Sequence, residues 1–442
     1  MGLSWLGILR LALVQTALGA IIVLTTSTLN RIMVVEFALP AMLPGFLVGV
    51  HHIIQLARPR IGHGSDVGGR RTPWILGGMV ILAMSGVVAA AGTVTMESSV
   101  ALGGLIAFIG YAGIGLGSGA TGTSLLVLLA KEVDDARKPA AATLVWFMMI
   151  AGFAVTAGVA GHFLDPYSPE RLLSVTASVS VIAMTVTVLA LRGLESTRQA
   201  DTRPKSKVDF REALAEVWQE TSARRFTVFV FISMLAYSFQ DLILEPFAGL
   251  VFGMSPGEST QLAGIQHGGV LAGMIAVAAS GSFNQGGSGR LLRFWTVGGC
   301  GASAIALLGL AWGGQQPNDW GLTTNVFVLG FFNGAFAVAA IASMMLLASS
   351  GGDNREGLKM GLWGAAQAIA FATGGFLGTV AVDICSQWLE QPSDIYGLVF
   401  MLEAGLFVVA AVLGRHVQGA QSTQRGPSMG AVAVNQVFEG GA

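Results

Sequence analysis

The sequence predicts an all-α polytopic membrane protein, and three observations carry that expectation. Of 442 residues, 53% are apolar and only 11% are charged, where soluble globular domains carry about 25% charged residues. The mean hydropathy is +0.68. Apolar blocks of roughly 20 residues, the length that crosses a hydrocarbon core, recur along the whole chain. A soluble fold of this size could not cover its surface with so few charges. A net charge of -1 with scattered basic residues lacks the field that nucleic-acid binding needs. The two cysteines, Cys300 and Cys385, are too few for a metal cluster or a disulfide scaffold.

Twelve spans are expected, with both termini on the same side. The first, at 5–29, opens like a secretory signal. Its apolar stretch has no small-residue cleavage pattern, however, so it reads as a retained span. The second, at 39–57, carries Leu47 to His52. The third lies at 74–94, and the fourth, at 100–130, is long enough to tilt. The fifth and sixth lie at 140–160 and 171–191. The longest polar connection follows, at 192–225, with Phe210, Leu214, Val217 and Trp218 at the spacing of a short amphipathic helix. The remaining six are placed at 226–251, 260–281, 291–312, 322–349, 357–382 and 394–414. The tail from 415 is polar and rich in Gly, Ser and Gln, without a packing pattern. Many of the 61 glycines fall inside spans, where small residues permit close helix contact in lipid.

Charge placement sets the expected orientation. All but Arg31 and Arg171 of the 24 Lys and Arg residues fall on one side of this scheme. The positive-inside bias therefore expects both termini in the cytoplasm.

The two halves echo each other. Leu47-Val-Gly49-Val-His51-His52 corresponds to Leu262-Ala-Gly264-Ile-Gln266-His267, Glu36 to Glu245, and Trp146 to Trp363. Such offsets, of about 209–218 residues, fit a six-plus-six duplication like that of major facilitator transporters. The expected organisation is a six-helix bundle at 1–191, a linker at 192–225, a second bundle at 226–414 and a tail at 415–442. Between spans two and three the chain reads Arg58-Pro-Arg60-Ile-Gly62-His-Gly64-Ser65-Asp66-Val-Gly68-Gly69-Arg70-Arg71. This resembles the loop motif of that superfamily. Gly62 and Gly69 allow a tight turn, Asp66 can accept helix N-terminal amides, and Arg70 and Arg71 can pair across to the other bundle. Arg137 and Arg355 begin spans five and eleven beside Asp135 and Glu356, as candidate latches between bundles.

The segments LTTSTLNRIMVVEFALPAMLPG, HHIIQLARPRIGHGSDVGGRRTPWILGG, FQDLILEPFAGLVFGM and REGLKMGLWGAAQAIAFATGGFLG resemble the bacteriochlorophyll delivery family. That family includes PucC, LhaA and a group long labelled a bacteriochlorophyll synthase chain. The resemblance implies a multi-pass protein of the bacterial inner or intracytoplasmic photosynthetic membrane that assists assembly of light-harvesting complexes. It implies bacteriochlorophyll as bound or transferred cargo. The implied partners are antenna polypeptides, pigment-synthesis enzymes, the reaction-centre core complex and membrane lipids. The synthase label fits poorly. Prenyl-transferring synthases hold Mg²⁺ and diphosphate on aspartate-rich clusters, and the adjacent aspartates here are only Asp134 and Asp135. The expectation is a non-enzymatic protein without a redox cofactor or protein-bound metal site. A carrier or flippase for a tetrapyrrole or similar amphipath, and a stable accessory subunit, remain as alternatives.

Neutral imidazoles can ligate the Mg of a chlorophyll-type ring, which singles out His51, His52 and His267; structural hydrogen bonding and gating remain open for each. Trp146 and Trp363 could line a groove for a flat macrocycle or simply anchor the membrane edge. Intramembrane charges are costly and tend to face a bundle interior. Arg31 and Glu36 are therefore candidate partners, although five residues apart, and Asp241 and Glu245 lie one turn apart on one helix face. Their open roles are a structural ion pair, cargo contact and proton coupling. Asp383 and Glu403 read as capping or interfacial residues.

Overall fold

The computed structural model describes residues 3–55, 70–134, 137–195, 218–283, 288–349 and 356–423. Among these, eleven helices are long and apolar enough to cross a membrane, and a shorter apolar helix spans Met42–Ile54. The helices are α1 (Trp5–Glu36), α2 (Met42–Ile54), α3 (Thr72–Thr95), α4 (Val100–Glu132), α5 (Lys138–Leu164) and α6 (Pro169–Leu191). They continue as α7 (Thr221–Phe239), α8 (Leu244–Phe252), α9 (Pro256–Phe283), α10 (Ser288–Gly313), α11 (Leu322–Ser349), α12 (Glu356–Cys385) and α13 (Pro392–Thr423).

Local chemistry explains the ends. Side chains of Ser4, Ser99 and Ser168 accept amides of the first turns of α1, α4 and α6, as N-caps do. Gly253 closes α8 at φ +66°, with its amide on Gly249 and that of Met254 on Ala248. This is the left-handed ending that glycine allows.

Two elements depart from the sequence expectation. The first span does not stop at residue 29. Its helix runs on to Glu36 through two π-turns, Leu24–Thr28 and Ile32–Glu36, whose widened i→i+5 pattern keeps the backbone bonded. In the first, the Thr25 and Thr26 hydroxyls donate back to the carbonyls of Ile21 and Ile22. The seventh span is broken by a 3-10 turn at Gln240–Leu242, between α7 and α8. The amphipathic segment expected at 210–218 lies outside the described residues except for Trp218, which is exposed.

Two large hydrophobic cores form, one from each half of the chain. Residues from Ile8 to Leu194 build the first and residues from Phe226 to Ala410 the second; Leu242 crosses into the first, and Val34 and Ala41 into the second. Within each half glycine sets how closely helices approach. A Cβ on Gly92 would lie 2.4 Å from Ala107 N and one on Gly117 2.5 Å from Leu82 N, so α3 and α4 touch backbone to backbone. The halves meet through α5 on α9 and α2 on α12, again at glycines: Gly161 against Gly257, Gly158 against Gly264, and Gly45 against Thr379.

Leu3 N donates to Glu132 O, and Arg10 to the carbonyls of Leu189 and Arg192. These contacts gather the start of α1 and the ends of α4 and α6 on one face, here the proximal face. The opposite, distal face carries the end of α1 and the start of α9.

Candidate functional site

The distal face is where the two halves are bonded, and the bonds radiate from the end of α1. Thr28 Oγ1 and Thr260 Oγ1 are 3.0 Å apart, Asn30 Nδ2 donates to Leu242 O at 2.7 Å, and Arg31 donates to Met254 O at 2.6 Å. Arg31 also pairs with Glu36. Residues five apart do not face each other on an α-helix, but the π-turn at Ile32–Glu36 brings them onto one side. The Arg31 side chain is 3% exposed and that of Glu36 33%. Glu245 is buried beside the Ser259 hydroxyl and within electrostatic reach of Arg31. Of the two acids that the sequence matched between halves, Glu36 pairs with Arg31 and Glu245 lies within its electrostatic reach without a direct bond.

Two further acids complete the seam. Asp165, after α5, accepts from Ser255 Oγ at 2.6 Å and from Gly257 N at 3.1 Å, at the start of α9. Asp383, near the end of α12, accepts the amides of Ala41 and Met42 at 2.9 and 2.7 Å. Each carboxylate satisfies orphan donors of a helix start in the other half. The capping expected of Asp383 is thus cross-half; the sequence held no signal for Asp165, whose partners lie about 90 residues away.

The histidines part company. His51 is buried, packs edge-on against His52 with centroids 4.7 Å apart, and bonds Gln55 at 2.6 Å. His267 lies in α9, about 16 Å along the helix from its start at 1.5 Å per residue. Its Nδ1 is 2.8 Å from Ala263 O. A carbonyl can only accept, so Nδ1 carries the proton and Nε2 keeps its lone pair. The ring is half-buried and stands edge-on to Phe153 of α5, with centroids 5.1 Å apart. The next residue, Gly268, points about 100° away around the helix, and nothing lies within 4 Å of its Cβ position. His52 and His267, matched in sequence, have different surroundings.

The two tryptophans also differ. Trp363 is fully buried in the second core, against Phe226 and bonded to Ala223 O, whereas Trp146 is 43% exposed. Trp363 presents no surface to a ligand, so the two do not line one groove. The packing at the α7–α12 contact removes one member from reach.

At the proximal face, Gly62, Asp66 and Gly69 lie outside the described residues, as do Asp135 and Arg355. Arg137 pairs with Asp134, an exposed pair of the kind that contributes little. Arg70 is exposed and Arg71 buried. The start of α3 is capped by a residue the sequence reading did not consider. Glu195, just past α6, accepts the amides of Arg71 and Thr72, the latter at 2.9 Å. Burial pushes its carboxyl up, but those amides, the Thr72 hydroxyl and nearby Lys131 outweigh it and hold the group below its ordinary value of 4.5. A depressed carboxyl stabilises the fold above its unfolded value and loses that contribution as pH falls through the lower folded value. Thermal midpoints taken from about pH 7 down to about pH 3 should therefore drop less for Glu195→Gln than for the wild type. An equal drop would remove Glu195 as a source of acid sensitivity.

Among the described residues, no group of three or more His, Cys, Asp or Glu converges to hold a metal ion.

The fold resembles that of solved membrane transporters. The chain superposes on a proton-dependent oligopeptide transporter with TM-score 0.69 at 15% identity, over 95% of this chain and 99% of the other. A bacterial homologue of the human lysosomal transporter Spinster gives TM-score 0.66 at 14% identity, over 96% and 98%. At such identities the likeness concerns the fold alone, an all-α polytopic architecture of the major facilitator kind.

The sequence comparisons reach further. The family model described as PUCC protein matches residues 28–421. The "Bacteriochlorophyll synthase 44.5 kDa chain" of Rhodobacter capsulatus is 49% identical over 97% of this chain and 99% of its own length. "Protein PucC" of Cereibacter sphaeroides is 28% identical over 95% and 93%. The chain belongs to the PUCC family, a family associated with photosynthesis, as its segments led us to expect.

Proposed function

We propose that this protein is a non-enzymatic assembly factor that takes up bacteriochlorophyll within the inner membrane and passes it to antenna polypeptides. In this reading twelve spans form two six-helix bundles, and the basic proximal face, with both termini, lies in the cytoplasm. The observation that carries it is His267. A ring whose Nδ1–H is tied to the Ala263 carbonyl is fixed in orientation, and such a bond makes the other nitrogen a better metal ligand. Nε2 would hold the Mg of the pigment, which as cargo brings its own metal. The Phe153 edge borders the ring. No acidic cluster is required of such a protein, which accounts for a synthase-named relative and a chain with no evident catalytic constellation.

The test is purification in mild detergent from cells making antenna, with absorption spectroscopy and identification of co-purifying polypeptides. His267→Leu is expected to lower the pigment-to-protein ratio roughly tenfold or more, since loss of a group that merely orients a metal ligand already costs that much, while His52→Leu leaves it near wild type. Unchanged pigment in His267→Leu would remove the ligand, and protein free of both pigment and antenna would remove the reading. A carrier working by alternating access is the second reading. It is favoured by the dense cross-half bonding at the distal face, the arrangement of a molecule closed at one end.

A further inference from the structure

The outward face of α6 is apolar and ends on a pair of arginines. Its inward stripe, Thr176, Ser180, Ala183, Thr187 and Leu191, is buried, and the helix packs on α1, α3 and α5. The other side holds a shallow groove of about 320 Å³, whose described lining is Val181, Met184, Thr185, Val188, Leu189 and Arg192. These positions advance by threes and fours along the chain, the spacing of one helix face. Thr185 ties its hydroxyl to the Val181 carbonyl, so the walls of the groove offer hydrocarbon. From Val181 to Arg192 is about 16 Å at 1.5 Å per residue, close to half of a hydrocarbon core about 30 Å thick. The groove therefore has the depth of one leaflet, with its charge at the proximal end.

That charge is doubled. Arg10, on α1, donates from Nη2 to the carbonyls of Leu189 and Arg192, at the end of α6 where a cation is favoured. The contact sets the Arg10 guanidinium against the backbone of Arg192. It leaves Nε and Nη1 of Arg10 without a partner among the described residues. Arg192 is exposed, and its side chain has no hydrogen bond or ion pair among those residues either. Glu195, the nearest acid along the chain, is engaged by the amides of Arg71 and Thr72. Trp5 is exposed at the start of α1, a ring suited to headgroup level. Two neighbouring cations with no carboxylate bonded to either repel one another and draw an anion. A guanidinium edge matches the oxygens of a phosphate.

We propose that this is a binding site for an anionic phospholipid of the proximal leaflet, with its phosphate between Arg10 and Arg192 and one acyl chain along the α6 groove. A free phosphate would gain nothing from the apolar walls, and a zwitterionic lipid would bring a cation of its own to two arginines. The site stands apart from the distal seam and from His267. This inference is independent of what the protein carries.

The experiment uses the full chain, purified in mild detergent and offered phosphatidylglycerol or phosphatidylcholine with the same acyl chains. Native mass spectrometry counts the bound lipid. The wild type is expected to bind phosphatidylglycerol about tenfold tighter or more, since each interfacial arginine contributes a factor of about five. Arg192→Gln removes no described side-chain bond, so it should fold and lower that preference about fivefold, while Arg192→Lys keeps most of it. Thr185→Trp fills the groove with both arginines in place and should lower the binding of both lipids severalfold. Arg225→Gln, at an exposed arginine of α7, is the control and should change nothing. An equal loss in Arg225→Gln would assign the preference to basic surface at large and overturn the site. Full retention in Arg192→Gln, wild-type binding in Thr185→Trp, or displacement of the lipid by equimolar glycerol phosphate would overturn it as well.

Discussion

Replacing Arg31 with glutamine is expected to destabilise the protein by about 3 kcal/mol, the lower end of what breaking a buried ion pair costs. The lower end applies because the Glu36 side chain keeps 33% exposure and water recovers part of its charge. The remaining loss has three sources. Glu36 loses its ion pair, the Met254 carbonyl loses its donor, and Glu245 is left buried with its nearby positive charge gone. Arg31→Lys should recover only part of the loss. A lysine ammonium is a compact point charge and cannot span Glu36 and Met254 with separate nitrogens. The thermal unfolding midpoint in detergent, compared for wild type, Arg31→Gln and Arg31→Lys, checks this. A glutamine variant as stable as wild type would show that the distal seam holds without the arginine.

The second large effect is expected where α9 and α11 cross. A Cβ on Gly273 would sit 2.0 Å from Phe331 O and 2.9 Å from Ala335 N. The contact is reciprocal: a Cβ on Gly330 would lie 2.1 Å from Gln266 O and one on Gly334 2.1 Å from Val270 O. The obstructing atoms are backbone of a long helix, so no rotamer change relieves the clash and the helices must separate. Gly273→Val should cost about 3 kcal/mol, the upper end for overpacking, and lower the yield of folded protein. Gly301→Ala is the control. Nothing lies within 4 Å of its Cβ position, so alanine there should be neutral or stabilising by up to about 1 kcal/mol through helix propensity. Equal behaviour of the two variants would mean that α9 and α11 are not in close contact in the membrane.

These two cases mark how far local pattern reaches. The glycine excess was readable as close helix packing, yet neighbours such as Gly77 and Gly78 are indistinguishable in sequence. A Cβ on Gly78 would lie 2.6 Å from Thr121 Oγ1 while one on Gly77 would meet open space, because their directions differ by about 100° around the helix. Arg31 and Glu36 were legible as charges that need a partner. Their α-helical spacing argued against each other, and only the π-turn made the pair. Asp165 and Glu195 carried no legible signal, since a carboxylate that caps a helix start from another part of the chain has no pattern near it in sequence. The match of Trp146 with Trp363 misled for the converse reason: equal positions in two halves do not guarantee equal exposure.

The sequence by itself determined that the chain is an all-helical membrane protein and which family it joins. Hydropathy is a local property, summed over roughly 20 residues, and survives without knowledge of neighbours. Tertiary structure alone decided which glycines are in contact, that Arg31 pairs with Glu36, and that Glu403 is sealed without a hydrogen-bond partner among the described residues. It also decided that the His267 ring is tied through Nδ1 to Ala263 and stands against Phe153 of the other half. Each depends on what a second helix brings within a few ångströms, and the price or gain of a charge or a Cβ is set by that neighbour.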